Sequence, residues 1–143
     1  MPPPGPARHP FRARISIMPV QWTISHTDRL VVAVARDRVT VSDIERYFAG
    51  VTAEGAMGYR KIFEITHTPE ALSDENLQAL GARVMLYAQH GQVGPLAIVA
   101  ASDRSFGQAR TFAAAATARR PLAIFRELHL ARQWLDAQPE QDG

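Results

Sequence analysis

The run LAIVAASDRSFGQARTF, residues 96–112, holds six apolar residues in succession and then turns abruptly polar at Ser102 and Asp103. An apolar run of this length without polar alternation is the pattern of a strand covered on both faces in a parallel sheet. Ser102 or Asp103 is placed to accept hydrogen bonds from the first free N–H groups of a following helix. Gly94-Pro95 precedes the strand and Pro121 stops the helix, both as chain punctuation requires. Gly107 costs that helix about 1 kcal/mol relative to alanine and is expected to mark close packing of helix on strand. The alanines at 113–116 should likewise bring the helix near the sheet.

Reading outward, a second capped helix precedes this unit. Ser73 is a good N-cap, Asp74 and Glu75 suit the positive end of the helix dipole, and Leu72 and Leu77 occupy the two staple positions. Its apolar face is Leu77, Leu80, Gly81, Val84 and Ala88, and it closes near His90-Gly91. Before it, residues 60–66 read as a strand, and residues 41–53 as a helix opened by a Thr40/Asp43 capping box. Residues 20–26 alternate, with Val20, Trp22 and Ile24 on one face, and a polar turn joins them to the apolar run 30–35 as a hairpin. After residue 121 come a short strand at 122–125 and a last amphipathic helix at about 128–137. The order ββαβαβαβα predicts one α/β domain at residues 18–138, with a mixed five-stranded sheet covered by four helices.

Composition narrows the function classes. With 143 residues and 46% apolar content, the chain can bury one core but not two. No cysteine occurs, which excludes disulfides, thiolate catalysis and cysteine-ligated zinc. The longest apolar runs are far below the roughly 20 residues that cross a bilayer, so no transmembrane segment is expected. The basic pI of about 9.5 comes from the start of the chain. Arg8, Arg12 and Arg14 lie in the proline-rich residues 1–17, where no acid occurs, leaving 13 cations against 14 acids beyond. That distribution gives the domain no nucleic-acid footprint. Residues 1–17 and 139–143 are expected to be disordered, and Met18 is a second candidate start beside Met1.

The element order over residues 20–135 resembles the STAS domain, the fold of anti-sigma factor antagonists. The runs LAIVAASDRSFGQARTF and FRELHLARQWL, residues 125–135, are similar to its SpoIIAA-like (STAS/SEC14-type) bacterial subfamily. The resemblance implies a cytoplasmic, non-enzymatic regulatory or interaction module that binds a partner protein or a small anionic ligand. Its SEC14-like side implies instead a carrier of a lipophilic small molecule, with Phe106, Phe112 and Phe125 available as apolar lining. In STAS antagonists a D-S-S-G run after the third strand carries a serine that accepts phosphate from a partner kinase. Ser73 falls at that position, but Leu72 replaces the aspartate, and Asp74 and Glu75 replace the second serine and the glycine. Two acids there repel an incoming dianion, and capping alone also accounts for Ser73.

In an α/β sheet, ligands gather at the carboxyl ends of the strands, where helix N-termini present free N–H groups. Thr66, His67, Thr68, Ser102, Asp103, Arg104 and Arg110 are therefore the candidate ligand or partner rim. Arg104 and Arg110 suit a phosphate or carboxylate, although surface ion pairs explain them equally. His67 and Glu64 are candidate general acid or base groups for a small enzyme. Glu64 is a buried carboxylate if its strand is central, and a solvated one if the strand is an edge. No nucleophile elbow, phosphate loop, dinucleotide fingerprint or paired metal histidines occur, so no catalytic residue, metal or cofactor is assigned. The hairpin edge or the last helix offers a surface for a homodimer.

Overall fold

The computed structural model describes residues 19–66, 72–116 and 120–139. The chain runs β1 (Val20–Ser25), β2 (Leu30–Arg36), α1 (Val41–Ala53), β3 (Arg60–Thr66), α2 (Asp74–Gln89), β4 (Leu96–Ala100), α3 (Asp103–Ala115), β5 (Leu122–Phe125), α4 (Leu128–Asp136). The predicted order holds, and element boundaries differ from the sequence reading by a residue at most, except that α3 closes at Ala115 and does not run on to Pro121.

The five strands lie side by side in chain order. β1 and β2 form the antiparallel hairpin, Ser25 opposite Leu30, and every later neighbour is parallel. The hairpin turn holds Arg29 at φ 53°, and the Ser25 hydroxyl accepts from the Asp28 backbone N–H at 3.1 Å. β3 is the central strand.

Alternation along each strand sends side chains to opposite faces. Val31, Ala33 and Ala35 of β2 pack with Ile44, Tyr47, Phe48 and Val51 of α1 and with Leu80 and Val84 of α2. Leu96 and Ile98 of β4 meet Ala109 and Phe112 of α3. The residues of opposite parity, Ile62, Ala97 and Val99, meet Ala131 and Leu135 of α4. Three helices thus cover one face, and the short last helix covers the β3–β5 part of the other.

The helix ends are built by the residues the sequence singles out. Thr40 and Asp43 form the full capping box of α1. That helix closes in a Schellman turn, the Gly55 N–H donating to Thr52 O at 3.0 Å and the Ala56 N–H to Val51 O at 3.0 Å. Gly55 sits at φ +69°, where a side chain is strained. Ser73 caps α2 and Ser102 caps α3.

Gly107 corrects the sequence reading. It is exposed, and a Cβ there would meet nothing within 4 Å. The close approach lies between helices instead: a Cβ on Gly81 of α2 would stand 2.6 Å from the Ala115 Cβ of α3. The alanine run therefore serves helix-on-helix packing at least as much as contact with the sheet. Among the described residues no helix is long and apolar enough to cross a membrane.

Candidate functional site

The described residues form two concavities, one between the sheet and its three-helix layer and one at the carboxyl edge of the parallel strands, with Ile65 in the wall of both. The first is inside the protein, between β3–β4 and helices α1, α2 and α3, with a cavity volume of about 110 Å³. Its wall is apolar except for four residues: Tyr47 from α1, Lys61 from the start of β3, Gln108 from α3, and Arg120 just before β5.

Lys61 is placed by strand parity. It pairs with Leu96 in the parallel register and shares the inward face with Phe63 and Ile65, so its side chain enters the interior and is only 3% exposed. The ammonium donates to the backbone carbonyls of Met57 and Tyr59, the latter at 2.9 Å. Those carbonyls belong to the loop that crosses Gly94, whose N–H donates to Met57 O at 3.0 Å. A Cβ on Gly94 would lie 2.2 Å from Tyr59 O, so the crossing that aims these carbonyls at Lys61 requires glycine.

Arg120 donates to Gly94 O at 3.3 Å, but its Nε has no partner among the described residues. The Tyr47 hydroxyl and Gln108 Nε2 are likewise buried without partners among the described residues. Burial, and secondarily the Arg120 charge, lowers the Lys61 pKa to about 7. Burial also brings Arg120 down to about 10, which Tyr47 partly opposes. The Tyr47 phenol is pushed upward by its burial, against the pull of Arg120. No Asp or Glu lines the cavity among the described residues, so two buried cations have no carboxylate beside them. A buried donor without a partner costs about 1–3 kcal/mol, and buried charges are ordinarily paired.

The second concavity is a wide, open crevice of about 820 Å³ at the carboxyl ends of the parallel strands. It gathers Thr66, Ser102 and Arg104 of the predicted rim, and adds Asp37, Glu64 and Arg126. Ser102 Oγ is engaged in capping, accepting from the Ser105 N–H at 3.0 Å, whereas Thr66 Oγ1 is buried without a partner among the described residues. Asp103 is turned to solvent and pairs with Arg126 at 2.8 Å, and the same guanidinium lies 4.3 Å from the Phe106 ring centroid. Arg110 is exposed farther along α3 and does not line the crevice. Ser73 is exposed, accepts from the Asn76 N–H at 3.0 Å and also stands outside it. His67 and Thr68 lie outside the described residues. Glu64 sits on the central strand, half-buried at the crevice wall. Of the three phenylalanines, Phe112 lines the inner cavity, while Phe125 packs on Trp134 beneath α4.

The sequence reading missed the polar residues of the inner cavity. The available signal was the parity of residue 61: a lysine in phase with Phe63 and Ile65 on a strand flanked by parallel neighbours. Among the described residues no group of His, Asp and Glu converges to hold a metal ion. Compared with known proteins, the chain matches no family model, no curated protein and no solved structure.

Proposed function

We propose that the protein is a binding domain for a small lipophilic molecule held between the sheet and its three-helix layer. The observation that carries this reading is an almost wholly apolar cavity whose wall also holds a few buried polar groups, the usual composition of a ligand pocket. Its volume is of the order that accepts a single ring or short chain: an apolar cavity of about 150 Å³ binds benzene. The element order and five-stranded sheet agree with the STAS-like resemblance, and the ligand reading takes its SEC14-like side.

Toluene tests the proposal. In heteronuclear NMR of the full chain, saturating toluene should shift the methyl signals of Ile44, Val84 and Ile98 and leave those of Val32 and Val34 in place. Unchanged methyl signals at saturation, together with no retained mass in native mass spectrometry of the protein from its own host, would end this reading.

A second reading rests on the crevice, where Thr66, Ser102 and Arg104 meet at the N-terminus of α3. There a partner protein would dock in the manner of a STAS regulator, with Ser73 as the modifiable residue. Exchange of Arg104 for glutamate should abolish capture of such a partner while leaving toluene binding intact.

A further inference from the structure

We propose that the natural ligand of the inner cavity is a small carboxylate, its head group held by Arg120, Lys61, Tyr47 and Gln108 and its apolar body lying among the core side chains. This rests on the ligand-binding reading above and gives it a chemical class.

Donors outnumber acceptors in the polar part of the cavity wall. A guanidinium and an ammonium can only donate, and the atom that Gln108 leaves unpartnered is its amide nitrogen, also a donor. The Tyr47 hydroxyl supplies another O–H. Lys61 and Arg120 spend part of their capacity on the carbonyls of Met57, Tyr59 and Gly94. Arg120 Nε, Gln108 Nε2 and the Tyr47 hydroxyl remain unanswered among the described residues. A cavity that offers several donors, carries two cations and has no acid in its wall is completed by an anionic acceptor.

The shape of the site selects which anion. A planar guanidinium matches a carboxylate through two parallel N–H bonds, and Arg120 Nε is one N–H left without a partner among the described residues. The cationic groups stand at the amino ends of β3 and β5, and the remainder of the wall is hydrocarbon, from Ile44 and Phe48 of α1 to Leu80 and Val84 of α2. An occupant therefore needs one charged end and an apolar body, and a cavity of about 110 Å³ limits that body to a ring or a short chain. A phosphate monoester would add a second negative charge and a bulkier tetrahedral head to the same confined end.

The test compares benzoate, benzyl alcohol and toluene by NMR titration of the full-length protein at pH 6.5. Benzoate should bind at least tenfold more tightly than benzyl alcohol, about 1.4 kcal/mol, and should shift the Gln108 side-chain amide. In Arg120→Met the benzoate preference should disappear while toluene still perturbs Ile44 and Val84. Toluene binding without any benzoate preference in the wild type overturns the carboxylate assignment and leaves the lipophilic reading standing. Failure of all three probes removes both. Phenyl phosphate binding as tightly as benzoate would also overturn it. Should Arg120→Met not fold, the three-probe comparison on the wild type still decides.

Discussion

Lys61 is a cation held at a strand position that the fold keeps away from water. Its pKa of about 7 lies well below that of a free lysine, near 10.4, so the folded protein binds this proton more weakly than the unfolded chain does. Below pH 7 both states are protonated and the full destabilisation is present. As pH rises from about 7 toward 10 only the unfolded chain keeps the proton, and the cost is relieved. The groups facing Lys61, the Tyr47 phenol and Arg120, add no carboxylate to offset it. Above pH 10 the upward-shifted phenol of Tyr47 acts in the opposite sense. Urea denaturation should therefore show stability increasing between pH 7 and 9.5, and Lys61→Met should flatten that slope. Gly107→Ala offers a second check at this scale. With open space at its Cβ, the substitution should stabilise the protein by about 1 kcal/mol through helix propensity, read as a higher urea midpoint. These residues were the least legible ones. In RKIFEIT the basic pair resembles a solvated strand end, and the phase of Lys61 with Phe63 and Ile65 is a weak signal because Ile62 puts a large apolar group on the other parity as well.

Helix ends, by contrast, were legible because capping is local. Thr40, Ser73 and Ser102 each place a side-chain oxygen on a backbone N–H within three residues, and no tertiary contact is needed to anticipate that. α4 departs from this rule. Glu127 makes no side-chain cap, and a helix of nine residues is too short to persist alone, so burial of Ala131 and Leu135 holds it in place. The contact between α2 and α3 depends on distant residues and could not be read in advance. Gly81 appeared as part of an apolar face, but its partner is Ala115, thirty-odd positions away. Gly81→Val should force these helices apart and cost about 1–3 kcal/mol, whereas Gly91→Val, where a Cβ meets nothing, should cost far less in the same chemical denaturation assay.

For the molecule as a whole, the uniform apolar run of β4 correctly signalled an interior strand, since all five of its residues are buried. The central place of β3 was hidden, because Arg60, Lys61 and Glu64 make it resemble an edge. Strand order is a property of long-range pairing and left no mark on local spacing. The arrangement sets a hierarchy of stability: β2, β3 and β4 are flanked by strands on both sides, and of these β3 and β4 also have α4 on the reverse face, while β1 and β5 are edges. Native-state hydrogen exchange should find the slowest amides in β3 and β4 and faster opening in α4 and β1; equal protection throughout would contradict this ranking.

The one-directional progress of the strands has a consequence for biosynthesis. Each new strand joins the growing side of the sheet, and its crossover helix shelters the same face every time. Ile62, Ala97 and Val99 on the reverse side wait for α4, the last of the described helices to be made. Until residue 135 has left the ribosome, the nascent protein carries a greasy, uncovered back, and this is the interval in which a chaperone would find most to hold.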